Sequence, residues 1–462
     1  MSREHLWIHH EQDATKYWKL AEGGYPGRMS VRQGERLTLH ISSSRALYDI
    51  FVYREGARRE LIHTIHDVRG DRHEVPEYGY RDGFAWPATV DLAIGDDWRS
   101  GMYIAQFASA QGPREILFVV RPKAPRGTAL VTIAGNTYAA YNNVGGKSFY
   151  DYISTDRALS PLLSVERPLQ PGAMGNFHYW DQFFTSWLDA EGYDFDYCIN
   201  TDHDAEPDLL GAYRANIRIG HDEYNSLDEM QCLETFIKGG GSLLSFSGNA
   251  LFWKVEIRDE GRRIFCDKPP HHNEPTPDHP VSIWWHNIDH WRQRLLGVAY
   301  SSFVHAKKGV AGSGEFHAPL TDSRFGFYRV TESDHWSFAG TGLAEGDEFG
   351  RADGIVGVEA DAADLEFVDG RPRYTGRDGV SSHWRILAIG DASTGGSYYP
   401  HDIPFRAREP DGDASAYGVI VANETEHKGT IYNASTIQWA HGLHSDPAVA
   451  AITRNVLDRL AV

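Results

Sequence analysis

A β-sandwich followed by an α/β domain with a mostly parallel sheet is the architecture the sequence predicts, from three observations. Residues from about 24 to 122 form short runs of period-two alternation broken by glycine-bearing turns. Beyond about residue 129 the rhythm changes to strands separated by helices. Between them, Arg121-Pro122-Lys123-Ala124-Pro125-Arg126-Gly127 places two prolines and three charges in seven residues. That is a boundary, giving a sandwich domain at 1–124 and an α/β domain at 125–462.

The sandwich elements are Arg36–Ile41, Tyr48–Tyr53, Gly101–Phe107 and Ile116–Val120. With no convincing helix among them, they predict an immunoglobulin-like fold. Ala129–Ala134 then reads as a buried strand. Phe183–Leu188 with Glu191-Gly192 fits a helix closed by glycine, and Tyr193–Ile199 a strand. Ile217–Gly220 ends another strand, Asn225-Ser226 caps an acidic helical start, and Gly239-Gly240-Gly241 closes that helix. Ser242–Phe246, Arg385–Gly390 and Gly429–Asn433 add strands, and Pro447 to Leu460 makes a final helix. Alternation of strand and helix implies a parallel sheet with right-handed crossovers. Residues about 255–380, rich in Gly, Pro and His, read as an irregular insertion.

At 462 residues the chain is too long for one ordinary core, so two or three domains are expected. Lys+Arg 45 against Asp+Glu 64 gives −19, which argues against binding a nucleic-acid backbone or an anionic membrane surface. No apolar run reaches the roughly 18 residues that span a bilayer. The N-terminus, with Glu4, His5, Glu11 and Asp13, lacks the form of a signal peptide. Cys198, Cys232 and Cys266 fit neither a disulfide framework nor a paired metal motif, so a reducing cytoplasm is expected.

Candidate chemistry clusters where strands end. Gly220-His221-Asp222-Glu223-Tyr224 follows one strand, Tyr138, Tyr141, Asn142 and Gly145-Gly146 follow another, and Ser247-Gly248-Asn249 a third. Loops at strand carboxyl ends converge on a ligand pocket in open α/β sheets. Each also has a plainer reading, as an aromatic-packed turn or a helix cap. There is no GxSxG elbow, and the cysteine that a class I amidotransferase-like sheet would carry is absent, which disfavours a side-chain nucleophile. HExxH is absent too, and His271-His272 sits in a proline-rich loop expected to be solvated. Asp202-His203-Asp204 reads as a polar loop bordering the same pocket.

Gly220–Tyr224, Gly239-Gly240, Ser247-Gly248-Asn249 and Trp253 together resemble the large (beta) subunit of N,N-dimethylformamidase and its relatives. Ser100–Tyr103, Ala140-Tyr141-Asn142 with Gly145-Gly146, Thr341–Leu343, Gly357–Glu359 and Tyr432–Ala434 before Trp439 extend the likeness along the chain. The resemblance implies an amidotransferase-like α/β domain and an amidohydrolase that cleaves small amides, such as N,N-dimethylformamide, by metal-activated water. Its cofactor would be one mononuclear Fe(III) held by Tyr103 of the sandwich, Tyr141 and Glu223, with Tyr138 as the alternative to Tyr141. His221, Asn249 and Glu359 would be the catalytic side chains. Phenolate and carboxylate oxygens suit ferric iron better than Zn²⁺ or Cu(I). The best-known large subunit in that family is longer, with a lectin-like N-terminal domain, and works with a small separate subunit. A small accessory subunit and self-association are therefore candidate interactions. The rival expectation is a non-enzymatic or carbohydrate-binding protein of the same fold.

Overall fold

Alternation along the strand Gly101–Ser109 decides how the two parts of the chain meet. A computed structural model describes residues 18–170, 177–268, 285, 288, 290–304, 326–393, 415–426 and 428–462. In it Tyr103, Ala105 and Phe107 point one way, into a core shared with Leu37, Leu39, Ile50 and Val52. Met102 and Ile104 point the other way, onto Val131, Phe184 and Trp187 of the second part. Successive side chains of a strand face opposite sides, so this strand is buried on both.

The N-terminal core lies between two sheets. One orders Gly23–Pro26, Arg36–Ser42 and Val90–Ala93; the other orders Ser30–Arg32, Gly112–Arg121, Gly101–Ser109, Leu47–Glu55 and Glu60–Arg69. The second part is organised by a large mixed sheet. Asp196–Ile199, Ala129–Ile133, Ala215–Gly220, Ser242–Ser247 and Ile431–Asn433 are neighbours in that order, and all four pairings are parallel. The sheet then continues antiparallel through Ser415–Asn423, Arg385–Ser393, Tyr328–Val330 and Glu348–Phe349. The expectation of a mostly parallel sheet therefore holds only for its first half. Successive strands in the second half pair directly, which parallel strands cannot do without a long crossover.

Helices expected from the sequence form with their caps. Gln182–Glu191 ends on Gly192 at φ 88°, and Leu227–Gly239 begins where the Ser226 side chain accepts the Glu229 amide. Gly135–Tyr141, expected as loop, is a helix. The region about 255–380 is more regular than expected where it is described, with strands such as Arg263–Phe265, Val358–Ala362, Leu365–Val368 and Arg371–Tyr374 and the helix Trp291–Leu296. Strands of three to five residues are too short for periodicity to register. His271-His272 lies outside the described residues.

A small sheet ordering Leu162–Ser164, Arg263–Phe265, Trp253–Arg258 and Tyr224–Ser226 stands beyond the carboxyl ends of the parallel strands. Its pairing sets Tyr224 opposite Trp253. No helix among the described residues is long and apolar enough to cross a membrane.

Candidate active site

Gly220 turns the chain out of its strand at φ 64°, where a Cβ would stand 2.0 Å from Asp181 Oδ1. Only glycine fits both the left-handed backbone and that approach. The three residues that follow then divide their work. Asp222 points back under the sheet, where Arg218 Nη1 donates to it at 2.7 Å and to Glu229 at 2.6 Å. Asn200 and Asn225 donate to both of those carboxylates, completing a buried polar network that holds the loop from below.

Glu223 points the other way. Its backbone amide is held by Thr137 Oγ1 at 3.1 Å, in the helix whose last residue, Tyr141, donates to Glu223 Oε2 at 2.9 Å. The chain returns through Gly145-Gly146 to Tyr150, and the buried Arg167 guanidinium fastens this return by donating to the carbonyls of Ala139, Val144 and Lys147. Tyr150 thus lies 2.7 Å from the Tyr141 hydroxyl and 3.1 Å from Glu223. On the far carboxylate oxygen, Asn249 Nδ2 donates at 3.1 Å and Trp253 Nε1 at 2.9 Å. Asn249 holds φ 48°, a conformation asparagine tolerates better than most residues.

Gly248 explains the arrival of Glu359: a Cβ there would stand 2.6 Å from the Glu359 carbonyl. The Glu359 carboxylate pairs with His221 Nε2 at 2.7 Å, and the same nitrogen lies 3.4 Å from Glu223. Burial opposes the charged imidazole, but Glu359 and then Glu223 outweigh it and raise His221 to about 9. Burial holds the phenols of Tyr141 and Tyr150 well above their ordinary range, with Glu223 adding to it. Burial likewise lowers Lys268, to about 8, against the pull of Glu223. Trp180 closes one side, its ring 5.9 Å from that of His221. It sits on a turn of π-type helix, Phe177–Asp181, an irregularity frequent at functional sites.

Among the described residues, no three His, Cys, Asp or Glu side chains are arranged to hold a metal ion. A cation at this place would have to be taken up with phenol oxygens.

Residues 49–452 match the family described as N,N-dimethylformamidase beta subunit-like, C-terminal. The chain belongs to that family. The N,N-dimethylformamidase beta subunit of Paracoccus aminophilus is 23% identical over 442 residues, covering 81% of this chain and 54% of that protein. The protein of the same name from an Alcaligenes species is 23% identical over 228 residues, 39% of this chain and 29% of that protein. The chain thus spans about half the length of the Paracoccus relative. A solved structure, the β-galactosidase of Rahnella sp. R3, covers 72% of this chain and 31% of its own at 11% identity and a TM-score of 0.33, a likeness that supports no argument.

Of the residues expected at the site of this dimethylformamidase-family chain, Tyr141, His221, Glu223, Asn249 and Glu359 come together. Tyr103 does not. Its ring is stacked between Trp98 and Phe118, at 5.3 and 5.6 Å, and its hydroxyl donates to the Arg99 carbonyl at 2.7 Å. The period-two alternation that sends Met102 and Ile104 to the junction turns Tyr103 into the N-terminal core. Tyr138 is bonded to the buried Asp181 and is not the alternative to Tyr141. Asp202 pairs with Arg121 and His203 bonds Thr132, so this segment braces the sheet rather than bordering the site.

The second phenol is Tyr150, nine residues beyond Tyr141 in the same glycine-bearing segment, and only the fold back through Gly145-Gly146 shows the pairing. Tyr224 belongs to the strand-end cluster that the sequence singles out, whereas nothing in the sequence pointed to Lys268. A cavity of about 400 Å³ lies away from this cluster, lined among others by Arg32, Arg121, Tyr197 and Tyr213.

Proposed function

We propose that this chain carries the catalytic centre of an iron-dependent amidohydrolase acting on the C–N bond of small, N-substituted amides. One observation carries the reading: Tyr141, Tyr150 and Glu223 oxygens form a buried triangle with edges of 2.9, 2.7 and 3.1 Å, next to the His221–Glu359 pair. Cis oxygens around an octahedral ion with metal–oxygen bonds of about 2 Å stand at such separations. Hard oxygen donors suit ferric iron, and the residues present fit that group. Buried phenols ionise only beside a cation, which the same group would provide.

Tyr141, Tyr150 and Glu223 would hold the iron, which supplies Lewis acidity towards the amide carbonyl and a lowered pKa for water. Asn249 and Trp253 fix the Glu223 carboxylate from behind, so its other oxygen keeps one direction. His221, kept protonated at neutral pH by Glu359, carries the proton that the departing amine needs. No side-chain nucleophile enters this scheme.

The names of the two relatives describe subunits, which supports an assembled enzyme. We read a small accessory subunit and self-association as candidate interactions, and three free cysteines as consistent with a cytoplasmic location. We also read residues 1–124 as an immunoglobulin-like domain and 125–462 as an amidotransferase-like one, supported by Pro122 and Pro125 between the two sheet systems.

The test is metal analysis of purified protein with a screen of formamides, acetamides and ureas. Stoichiometric iron, a visible tyrosinate absorption and amine release from at least one amide are expected. A colourless protein from iron-replete cells that hydrolyses none of them contradicts the reading.

A further inference from the structure

Among the described residues Lys268 is the one buried lysine, and its surroundings are unlike those of a packing lysine. It is 3% exposed. Its Nζ stands 3.8 Å from the centre of the Tyr150 ring, 4.1 Å from that of Trp253 and 4.9 Å from that of Tyr224. Each wall of this aromatic box is itself bonded to the centre: Tyr150 is a corner of the triangle, Trp253 donates to Glu223, and Tyr224 donates to Tyr150 at 2.7 Å.

The direction of the hydrogen bonds follows from donor chemistry. An ammonium has three donors and no acceptor, so in the Lys268–Tyr224 contact the Tyr224 oxygen must accept. The single Tyr224 proton is then free to point at the Tyr150 oxygen. Tyr150 is left with its lone pairs facing an O–H on one side and the triangle on the other.

We infer that Lys268 is a positioning residue for the centre: acting through Tyr224, it orients a hydrogen bond onto the Tyr150 oxygen and so sets how Tyr150 binds a cation beside Tyr141 and Glu223. This rests on the reading of the site as a metal centre. A hydrogen bond onto a phenolate lowers the energy of its lone pairs, so removing it moves a tyrosinate-to-iron absorption to longer wavelength. Lys268→Met keeps the length and removes the donors, and Tyr224→Phe removes the intermediate hydroxyl.

The experiment compares iron content, visible spectrum and melting temperature of wild type, Lys268→Met, Tyr224→Phe and the double variant. The wild type is expected to bind iron and absorb in the visible. Each single variant is expected to shift that band to longer wavelength, and the double variant to shift it no further than Tyr224→Phe, because both act along one path. A band that stays in place in iron-loaded Tyr224→Phe, or in Lys268→Met with only the melting temperature changed, reduces Lys268 to a packing role and overturns the inference. A wild type without iron or absorption removes the metal reading itself, and the inference with it.

Discussion

Glu223 receives Tyr141 on one carboxylate oxygen, Asn249 and Trp253 on the other and Tyr150 across both, so its charge and its position can be separated by mutation. Glu223→Gln keeps an oxygen for the two anchors and removes the anion; the protein should fold normally by circular dichroism and lose its iron by metal analysis. A variant with full iron is incompatible with Glu223 as a ligand. Glu359 pairs with His221 rather than with the oxygen triangle. Glu359→Gln should therefore retain iron while turnover falls by about 10²–10⁴-fold, the usual weight of proton transfer by a positioned group. Loss of iron instead would place Glu359 among the ligands.

At the scale of elements, the strand Ala215–Gly220 and the helix Leu227–Gly239 are tied by Arg218 beneath the site. Arg218→Met leaves Asp222 and Glu229 facing each other without a buried cation, and should cost about 3–5 kcal/mol in denaturant titration. A change within error would show that Arg218 is not what holds the strand and the helix together. A second tie crosses between the two parts: His178, on the turn before Gln182–Glu191, bonds Glu115 of the strand Gly112–Arg121 at 2.9 Å. Burial opposes the His178 charge, but Glu115 outweighs it, so its folded pKa lies above the ordinary 6.5. A raised pKa contributes stability that is complete below the unfolded value and is lost as pH rises through the folded one. The melting-temperature advantage of wild type over His178→Gln should accordingly shrink as pH is raised above 6.5. An advantage independent of pH would show that His178 acts by packing alone.

These elements also show what could be read beforehand. The loop 220–226 and the helices after Asp181 and Ser226 carry their own signals: a strand ending on glycine, a serine cap, closing glycines. In the antiparallel half Arg385–Gly390 was legible as a strand, whereas the strands near residues 328, 348 and 360 are only a few residues long, too short for periodicity to register. Lys268 is 45 positions from Glu223 in the sequence and reaches it only because Trp253–Arg258 pairs with both Tyr224–Ser226 and Arg263–Phe265.

For the whole molecule, the correction at Tyr103 changes which part builds the centre. The resemblance implied oxygen ligands from both halves of the chain. In the structure the two halves share an apolar junction through Met102 and Ile104, while Tyr103 is sealed in the N-terminal core and the oxygen triangle comes entirely from residues 141, 150 and 223. On the proposed reading, the N-terminal sheets support the centre without supplying a ligand. The most direct test is the visible spectrum and iron content of Tyr103→Phe beside Tyr150→Phe. The expected result is a wild-type spectrum and full iron for Tyr103→Phe and a weakened, shifted band for Tyr150→Phe. The reverse pattern, with the band lost on changing Tyr103 and unaltered on changing Tyr150, would contradict the account.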